Sequence, residues 1–215
     1  MTRFSDEDRE RIRRELVEAG RELFTQHGFD RTRIKDVTEA VEIGTSTFYQ
    51  FFSSKEMLYV AVLKQERDRL IERVDAAVAD AETPRDEVRT MLETLFDEVR
   101  SDPLISRMIV ENELQTLLTQ LSASERESLR AEPAGEPLGY ADRWVQVASF
   151  RFDDPDLVRD TITSLIFTTR SQELIREPGT ATEPGCVDQA LIDTMVDGLF
   201  INDANVEETG TEPDV

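Results

Sequence analysis

Apolar side chains recur three and four residues apart along most of this chain, and no stretch alternates apolar with polar residues for long enough to read as a strand. That periodicity, cut repeatedly by proline and glycine, restricts the fold to an all-α class. Ser5 with Asp8 three residues later forms a capping box, and Asp6, Glu7 and Asp8 complement a helix N-terminus. Ile12, Leu16, Ala19 and Leu23, with Phe24 beside them, give the first helix one inner face. Gly28 is its expected stop, with His27 favourably placed in the last turn. Two short helical segments follow: Ile34, Val37 and Val41 mark the inner face of one, and Phe48, Phe51 and Phe52 an aromatic face on the other. Between them Glu42-Ile43-Gly44 leaves room only for a sharp corner. Two short helices about a tight turn, supported by a longer preceding helix, predict an N-terminal three-helix bundle containing a helix-turn-helix.

A longer helix is predicted from Ser53-Ser54 to about Ala81, with Leu63, Leu70, Val74 and Ala77 on one side and Glu66 to Arg69 largely in water. Thr83-Pro84 opens another, whose core face is Val88, Met91, Leu92, Leu95, Phe96 and Val99. After Ser101-Asp102-Pro103, helices are expected at 103–121 and 123–131, the second introduced by a capping box of Ser122 and Glu125. Three more are expected at 138–152, 155–176 and 187–201. The organisation that follows is a DNA-reading domain at 1–60, a helical body at 61–201 and an acidic tail at 202–215 without periodicity.

Charge sharpens that division. The 215 residues carry a formal net charge of −21, and only three of the 25 basic residues are lysine. Such an acidic, arginine-over-lysine surface suits molar salt, where screening shortens to roughly 3 Å, and points to a halophilic host. The imbalance lies in the second part: residues 1–60 hold ten basic and twelve acidic residues, net −2, whereas residues 61–215 are net −19. A near-neutral head on an acidic body is compatible with a nucleic-acid reader. The charged start MTRFSDEDRE lacks the apolar core of a signal peptide, and the longest apolar run, Met57 to Leu63, is too short for a bilayer, so a cytoplasmic, non-membrane protein is expected. One cysteine and one histidine exclude an intramolecular disulfide, cysteine-based zinc sites and the usual histidine triads. Neither a glycine-rich phosphate loop nor a paired nucleophile and base is evident, so no enzyme, cofactor or metal is expected. Cys186, between Glu183 and Asp188, reads as an inert thiol.

The run Thr47-Phe48-Tyr49-Gln50-Phe51-Phe52-Ser53-Ser54-Lys55-Glu56-Met57-Leu58 is similar to the pattern T-[LF]-Y-x-[HYF]-F-x-[SN]-K-[ED]-x-L. Gly28-Phe29, Thr32 and Ile34-Lys35-Asp36-Val37 precede it at matching positions. Together these residues strongly resemble the DNA-binding region of the TetR/AcrR family of transcriptional regulators. The motif covers about the first quarter of the chain; beyond it only the helix layout and Phe150-Arg151-Phe152-Asp153-Asp154-Pro155 look similar. Two departures stand out: Glu42-Ile43-Gly44 replaces the Gly-Val-Ser usual at the turn, and Ser46 stands where glycine or another small residue is common. Thr45 is then a candidate cap, and Thr38, where alanine is common, is expected to bond back within its helix.

The resemblance implies that Thr45, Ser46 and Gln50 reach base edges in the major groove, that Thr47, Tyr49 and Lys55 grip phosphates, and that Lys35 meets a base or phosphate at the groove edge. It also implies a C-terminal ligand-binding and dimerisation domain. Met91, Leu95, Phe96, Met108, Leu117, Trp144, Val147, Phe150 and Phe167 are its candidate pocket, with plain core packing the alternative for each. Helices 155–176 and 187–201 would pair with their symmetry mates in a homodimer. The implied function is a ligand-responsive homodimeric repressor that binds double-stranded operator DNA and an unidentified small-molecule effector. The alternative is a helical protein-protein interaction module or small-molecule carrier without DNA-binding activity.

Overall fold

The computed structural model describes residues 5–104, 119, 121–126, 139–175 and 184–201, and the side chains of all of these except 167–175 and 184. The described elements are helical. The chain divides into two compact units, Met1–Leu70 with Asp102–Gly135, and Ile71–Ser101 with Glu136–Val215. This partition differs from boundaries at 60 and 201, because residues after 101 return to the first unit. The reason is visible at Leu104, which is buried in the core of the first unit.

In the first unit α1 spans Asp6–His27, and the Ser5 hydroxyl accepts from the Asp8 N–H at 3.1 Å while donating to the Asp8 carboxylate at 2.8 Å. The helix ends at Gly28, whose φ of 79° lies in the region open to glycine. The inner face is turned slightly from the expected one: Ile12, Leu16, Val17, Gly20 and Phe24 are buried, and Ala19 and Leu23 sit at its edge. Gly20 sets that rotation. A Cβ there would come within 3.2 Å of Leu58 and 3.3 Å of Val62, so a bare backbone lets α4 approach.

Helix α2 (Ile34–Ala40) and α3 (Thr45–Phe48) flank the corner. Thr38 bonds back to the Lys35 carbonyl at 3.0 Å, as expected. Glu42 takes the left-handed conformation at φ 56°, the geometry that a glycine would hold without strain. Gly44, rather than Thr45, occupies the N-cap of α3 and brings no side-chain cap, because Thr45 is already helical. Phe48 and Phe52 are buried and Phe51 is half-buried. α4 runs Lys55–Val78, with the Ser54 hydroxyl accepting from the Met57 N–H at 3.2 Å. Phe24, Phe29 and Tyr59 pack ring to ring at 4.8–6.0 Å in the centre of this unit.

Glu66 corrects the sequence reading. Its side chain is buried, with 2% of the residue exposed, instead of lying in water. Arg21 of α1 reaches the carboxylate at 2.6 Å and Arg69 at 2.7 Å, and Arg69 also meets Glu18 at 2.9 Å. Asp102 lies 3.7 Å from the same Arg21 and caps Leu104 with a 2.7 Å bond from its N–H. Toward the end of the same helix Ala77 is exposed, and Val74 and Val78 are buried.

In the second unit α5 (Pro84–Ser101) begins at Thr83, whose hydroxyl accepts from the Asp86 N–H at 3.1 Å. The six core positions expected on α5 are all buried. α5 packs against α7 (Pro155–Ile175) and α8 (Pro184–Leu199), and α7 also receives the short α6 (Tyr140–Trp144). Ion pairs of Arg85 with Asp197, Arg89 with Asp193, and Arg100 with Asp188 join α5 to α8. The helix expected over 138–152 is confined, among the described residues, to Tyr140–Trp144. Turns follow it, and Phe150 pairs with Phe200 in an isolated antiparallel bridge. Bonds from the Arg151 N–H to the Leu199 carbonyl and from the Ile201 N–H to the Ser149 carbonyl, both 2.8 Å, take up backbone groups that a continued helix would have used internally. Residues 103, 104, 119 and 123–126 are helical, and the rest of the two helices expected at 103–131, like the acidic tail beyond Ile201, lies outside the described residues. No helix among the described residues is long and apolar enough to cross a membrane.

Two measurements check this frame. Glu42→Gly should raise stability by about 0.5–1 kcal/mol, as relief of left-handed strain of about 1–2 kcal/mol outweighs the added chain entropy; urea unfolding reads it. Glu66→Ala should cost about 2 kcal/mol, below the ~3–5 kcal/mol of a fully buried pair because Arg21 and Arg69 retain solvent access. Glu18→Ala, at the exposed end of the same network, should cost under about 1 kcal/mol.

Candidate nucleic-acid interface

The corner presents a polar surface because its apolar residues turn inward. Phe48 is fully buried beneath α3, so its neighbours Thr45, Ser46, Tyr49 and Gln50 are exposed and Thr47 is half-exposed. Tyr49 is 55% exposed, the most open of the large hydrophobic side chains described, and its ring stands edge-on to Phe48 at 5.5 Å. Lys35, on α2, is also exposed and lies 3.4 Å from Glu39 one turn on. Six of the seven residues expected to meet DNA therefore lie on the solvent side of one helix corner.

Lys55 differs. Its ammonium donates to the Phe29 carbonyl at 2.7 Å and to the Thr32 carbonyl at 3.2 Å, and sits 4.0 Å from the centre of the Phe29 ring. Burial pushes its pKa down, opposed by the charges of Glu56 and Asp30. Two of its three donors thus close the α1–α2 connection. Thr32 completes that closure, donating to the Gly28 carbonyl at 2.8 Å and lying within 3.2 Å of the Leu23 carbonyl.

A second fixation was not foreseen from sequence. The capping box of Ser122 and Glu125 forms as expected, with Ser122 N–H to carboxylate at 2.9 Å and Glu125 N–H to hydroxyl at 3.2 Å. The same Glu125 carboxylate accepts from the Ser53 hydroxyl at 2.7 Å and the Ser54 hydroxyl at 2.8 Å. It therefore holds the link between α3 and α4. The bond from Ser53, then those from Ser122 and Ser54, hold its pKa at about 2, below the ordinary 4.5. The reach across 72 residues explains why local spacing gave no sign of it. The exposed Arg31 and Arg33, just ahead of α2, are further cations beside the corner that the sequence reading left out.

Of the candidate pocket residues, Met91, Leu95, Phe96, Trp144 and Phe150 are buried in the second unit and Val147 is half-buried. Trp144 donates its indole N–H to Glu87 at 2.9 Å, which satisfies its polar edge within the core. Met108, Leu117 and the side chain of Phe167 lie outside the described residues. No cluster of metal-ligating side chains occurs among the described residues.

The Glu125 link has a pH signature. A carboxyl whose folded pKa is depressed adds stability fully above its unfolded value and loses it as the pH falls toward the folded one. Stability from this contact should therefore disappear between about pH 4.5 and about pH 2. Glu125→Ala should flatten that part of the stability profile and cost about 1–2 kcal/mol at neutral pH; chemical unfolding at several pH values measures both.

Residues 16–62 match the family described as bacterial regulatory proteins, tetR family. Over 108 residues the chain is 31% identical to the transcriptional activator FasR of Mycolicibacterium smegmatis, covering 50% of this chain and 49% of that protein. Over 73 residues it is 32% identical to the transcriptional repressor DhaR of a Mycobacterium species, covering 34% and 37%. The matches thus span about half or less of these relatives. A solved TetR-family regulator from Pectobacterium atrosepticum superposes with a TM-score of 0.67 at 19% identity, over 93% of this chain and 99% of that one. RolR, solved in complex with the ligand resorcinol, superposes with a TM-score of 0.63 at 20% identity over 97% of both chains. These likenesses show the fold: an N-terminal helix-turn-helix followed by a helical C-terminal region. Across its helix-turn-helix, residues 16–62, the chain is thus similar to the tetR family of bacterial regulatory proteins.

Proposed function

We propose that this protein is a homodimeric, ligand-responsive transcriptional repressor that binds a near-palindromic operator. The carrying observation is the exposed polar corner, Thr45, Ser46, Tyr49 and Gln50, held over the buried Phe48 within the segment that matches the family. In this reading Thr45, Ser46 and Gln50 face base edges, and Thr47, Tyr49 and Lys35 meet the backbone. Lys55 acts chiefly by holding the α1–α2 connection, and its remaining N–H can still meet a phosphate.

The body supplies dimerisation and effector binding. Leu157 at the start of α7 and Ile201 just after α8 are large apolar residues left exposed, which supports pairing of these two helices with those of a second copy. Binding of a small apolar effector among the α5 and α6 side chains shifts the population away from the DNA-competent state. The charge of −21 and the use of arginine over lysine support operation in molar salt in a halophilic host. Named repressors and a named activator both occur among the relatives, so the sign of regulation is part of the test.

Selection from random duplexes at high potassium chloride, with and without cell extract, should yield a two-fold symmetric site whose half-sites lie one helical turn, roughly 34–36 Å, or a multiple apart. A reporter placed behind that site should be silenced by the protein. Recovery of no duplex defeats the regulator reading and leaves a DNA-independent carrier or interaction module. Gln50→Ala should relax base preference at one position per half-site by about 1–3 kcal/mol, and an unchanged motif removes Gln50 from the base-reading set. Sedimentation of the intact chain in high salt should give a dimer at micromolar concentration.

A further inference from the structure

The arginines on α1 are not equivalent. Arg11 is paired with Asp8 at 3.3 Å and Glu15 at 3.2 Å, and Arg14 donates to the Glu10 carbonyl at 3.4 Å. Arg9 and Arg13, one turn apart, lie instead beside the recognition segment. The Arg9 guanidinium is 5.2 Å from the centre of the Phe51 ring and donates to the Gln50 carbonyl at 3.4 Å. The Arg13 guanidinium is 4.7 Å from the centre of the Phe52 ring. Both side chains are exposed, and among the described residues neither has a carboxylate within salt-bridge distance. Arginines at positions 11, 21, 67, 69, 73, 85, 89, 100, 143 and 159 are ion-paired, whereas Arg9 and Arg13, like Arg14, Arg31, Arg33, Arg126 and Arg151, have no ion pair among the described residues; what sets Arg9 and Arg13 apart is their seat on aromatic rings beside α3.

A guanidinium resting on an aromatic face keeps the N–H donors on its edge available and loses less rotamer freedom when it takes a ligand. Four residues along a helix rise about 6 Å, close to the separation of successive phosphates on one strand. The bond from Arg9 to the carbonyl of Gln50 places the pair next to the residue assigned to base reading. The pairing of cations, ring seats and position fits a doubly anionic, extended ligand bordering the groove.

We propose that Arg9 and Arg13, seated on Phe51 and Phe52, form a backbone grip that takes neighbouring phosphates of the duplex flanking the bases met by the recognition segment. This rests on the DNA-binding reading and adds to it a contact from α1. It also adds two preorganised cations to the exposed Arg31, Arg33 and Lys35 near the corner. Arg11 and Arg14 take no part, being held by α1 itself.

The test is the salt dependence of binding by the full-length protein to the operator recovered from selection, followed by fluorescence anisotropy in potassium chloride. The double variant Arg9→Ala/Arg13→Ala should reduce the steepness of log affinity against log salt by about 1.8, since each neutralised phosphate contributes about 0.9. Relative to wild type this is about a 60-fold change across a tenfold range of salt. Operator and scrambled duplex should weaken alike, and the selected motif should not change. Arg9→Lys/Arg13→Lys should retain the slope, Arg11→Ala should leave it unaltered, and inorganic phosphate at equal ionic strength should not compete, which separates duplex backbone from free phosphate. Circular dichroism confirms folding; should the alanine pair unfold, Arg9→Gln/Arg13→Gln removes charge while keeping side-chain bulk. An unchanged slope in a folded, charge-free variant overturns the grip, as does a changed motif with an unchanged slope, which would reduce Arg9 to positioning Gln50. Failure of the wild type to recover any duplex would instead defeat the underlying DNA-binding reading.

Discussion

A buried carboxylate that loses its partners must take up a proton or cost several kcal/mol, and Glu66 places that requirement between α1 and α4. It sits on α4 and can be satisfied only where Arg21 of α1 and Arg69 of its own helix converge on it. Apolar packing between α1 and α4, at Gly20 against Leu58 and Val62, sets how close the helices come but tolerates sliding. The charge cluster does not, because a displaced Arg21 would leave a desolvated anion. Asp102, meeting the same Arg21, brings a segment from much later in the chain under the same restraint. The helix corner is then built on a frame whose register is specified by electrostatics and whose stability comes mainly from Phe24, Phe29, Phe48 and Tyr59.

What the sequence made legible was local. Ser5 with Asp8, Thr83-Pro84 and Ser122 with Glu125 marked helix starts because a cap and its partner lie within one turn. Gly28 marked a stop because its backbone angle favours glycine. The exposed set at the corner followed from the aromatic spacing of Phe48 and Phe52, which decides what must face outward. Glu66 was misread because charges in a run normally face water and Arg21, the partner that reaches it from another helix, is 45 residues away. Lys55 was a fair candidate for phosphate, and only the folded α1–α2 connection reveals the two carbonyls beneath it. The helix expected at 138–152 failed at the point where Phe150 found a backbone partner in Phe200, a pairing no periodicity encodes.

The turn carries a cost that a glycine in place of Glu42 would avoid. Glycine stands two places late, at Gly44, so Glu42 accepts a left-handed backbone and α3 begins without a side-chain cap. The Ile43 N–H still reaches the Thr38 carbonyl at 3.0 Å, and the corner closes around that bond. The left-handed Glu42 places a cost of about 1–2 kcal/mol in the turn.

The return of residues 102–126 to the first unit makes the reading head discontinuous in sequence. On a ribosome, α1 to α4 emerge long before Leu104 can fill its place in their core, Asp102 can meet Arg21, or Glu125 can fasten Ser53 and Ser54. The intervening α5 belongs to the other unit and must be made first. The nascent first unit is therefore an incomplete body with an open core site and an unfastened Ser53-Ser54 link until synthesis has passed residue 125, and it is completed late rather than with the first sixty residues.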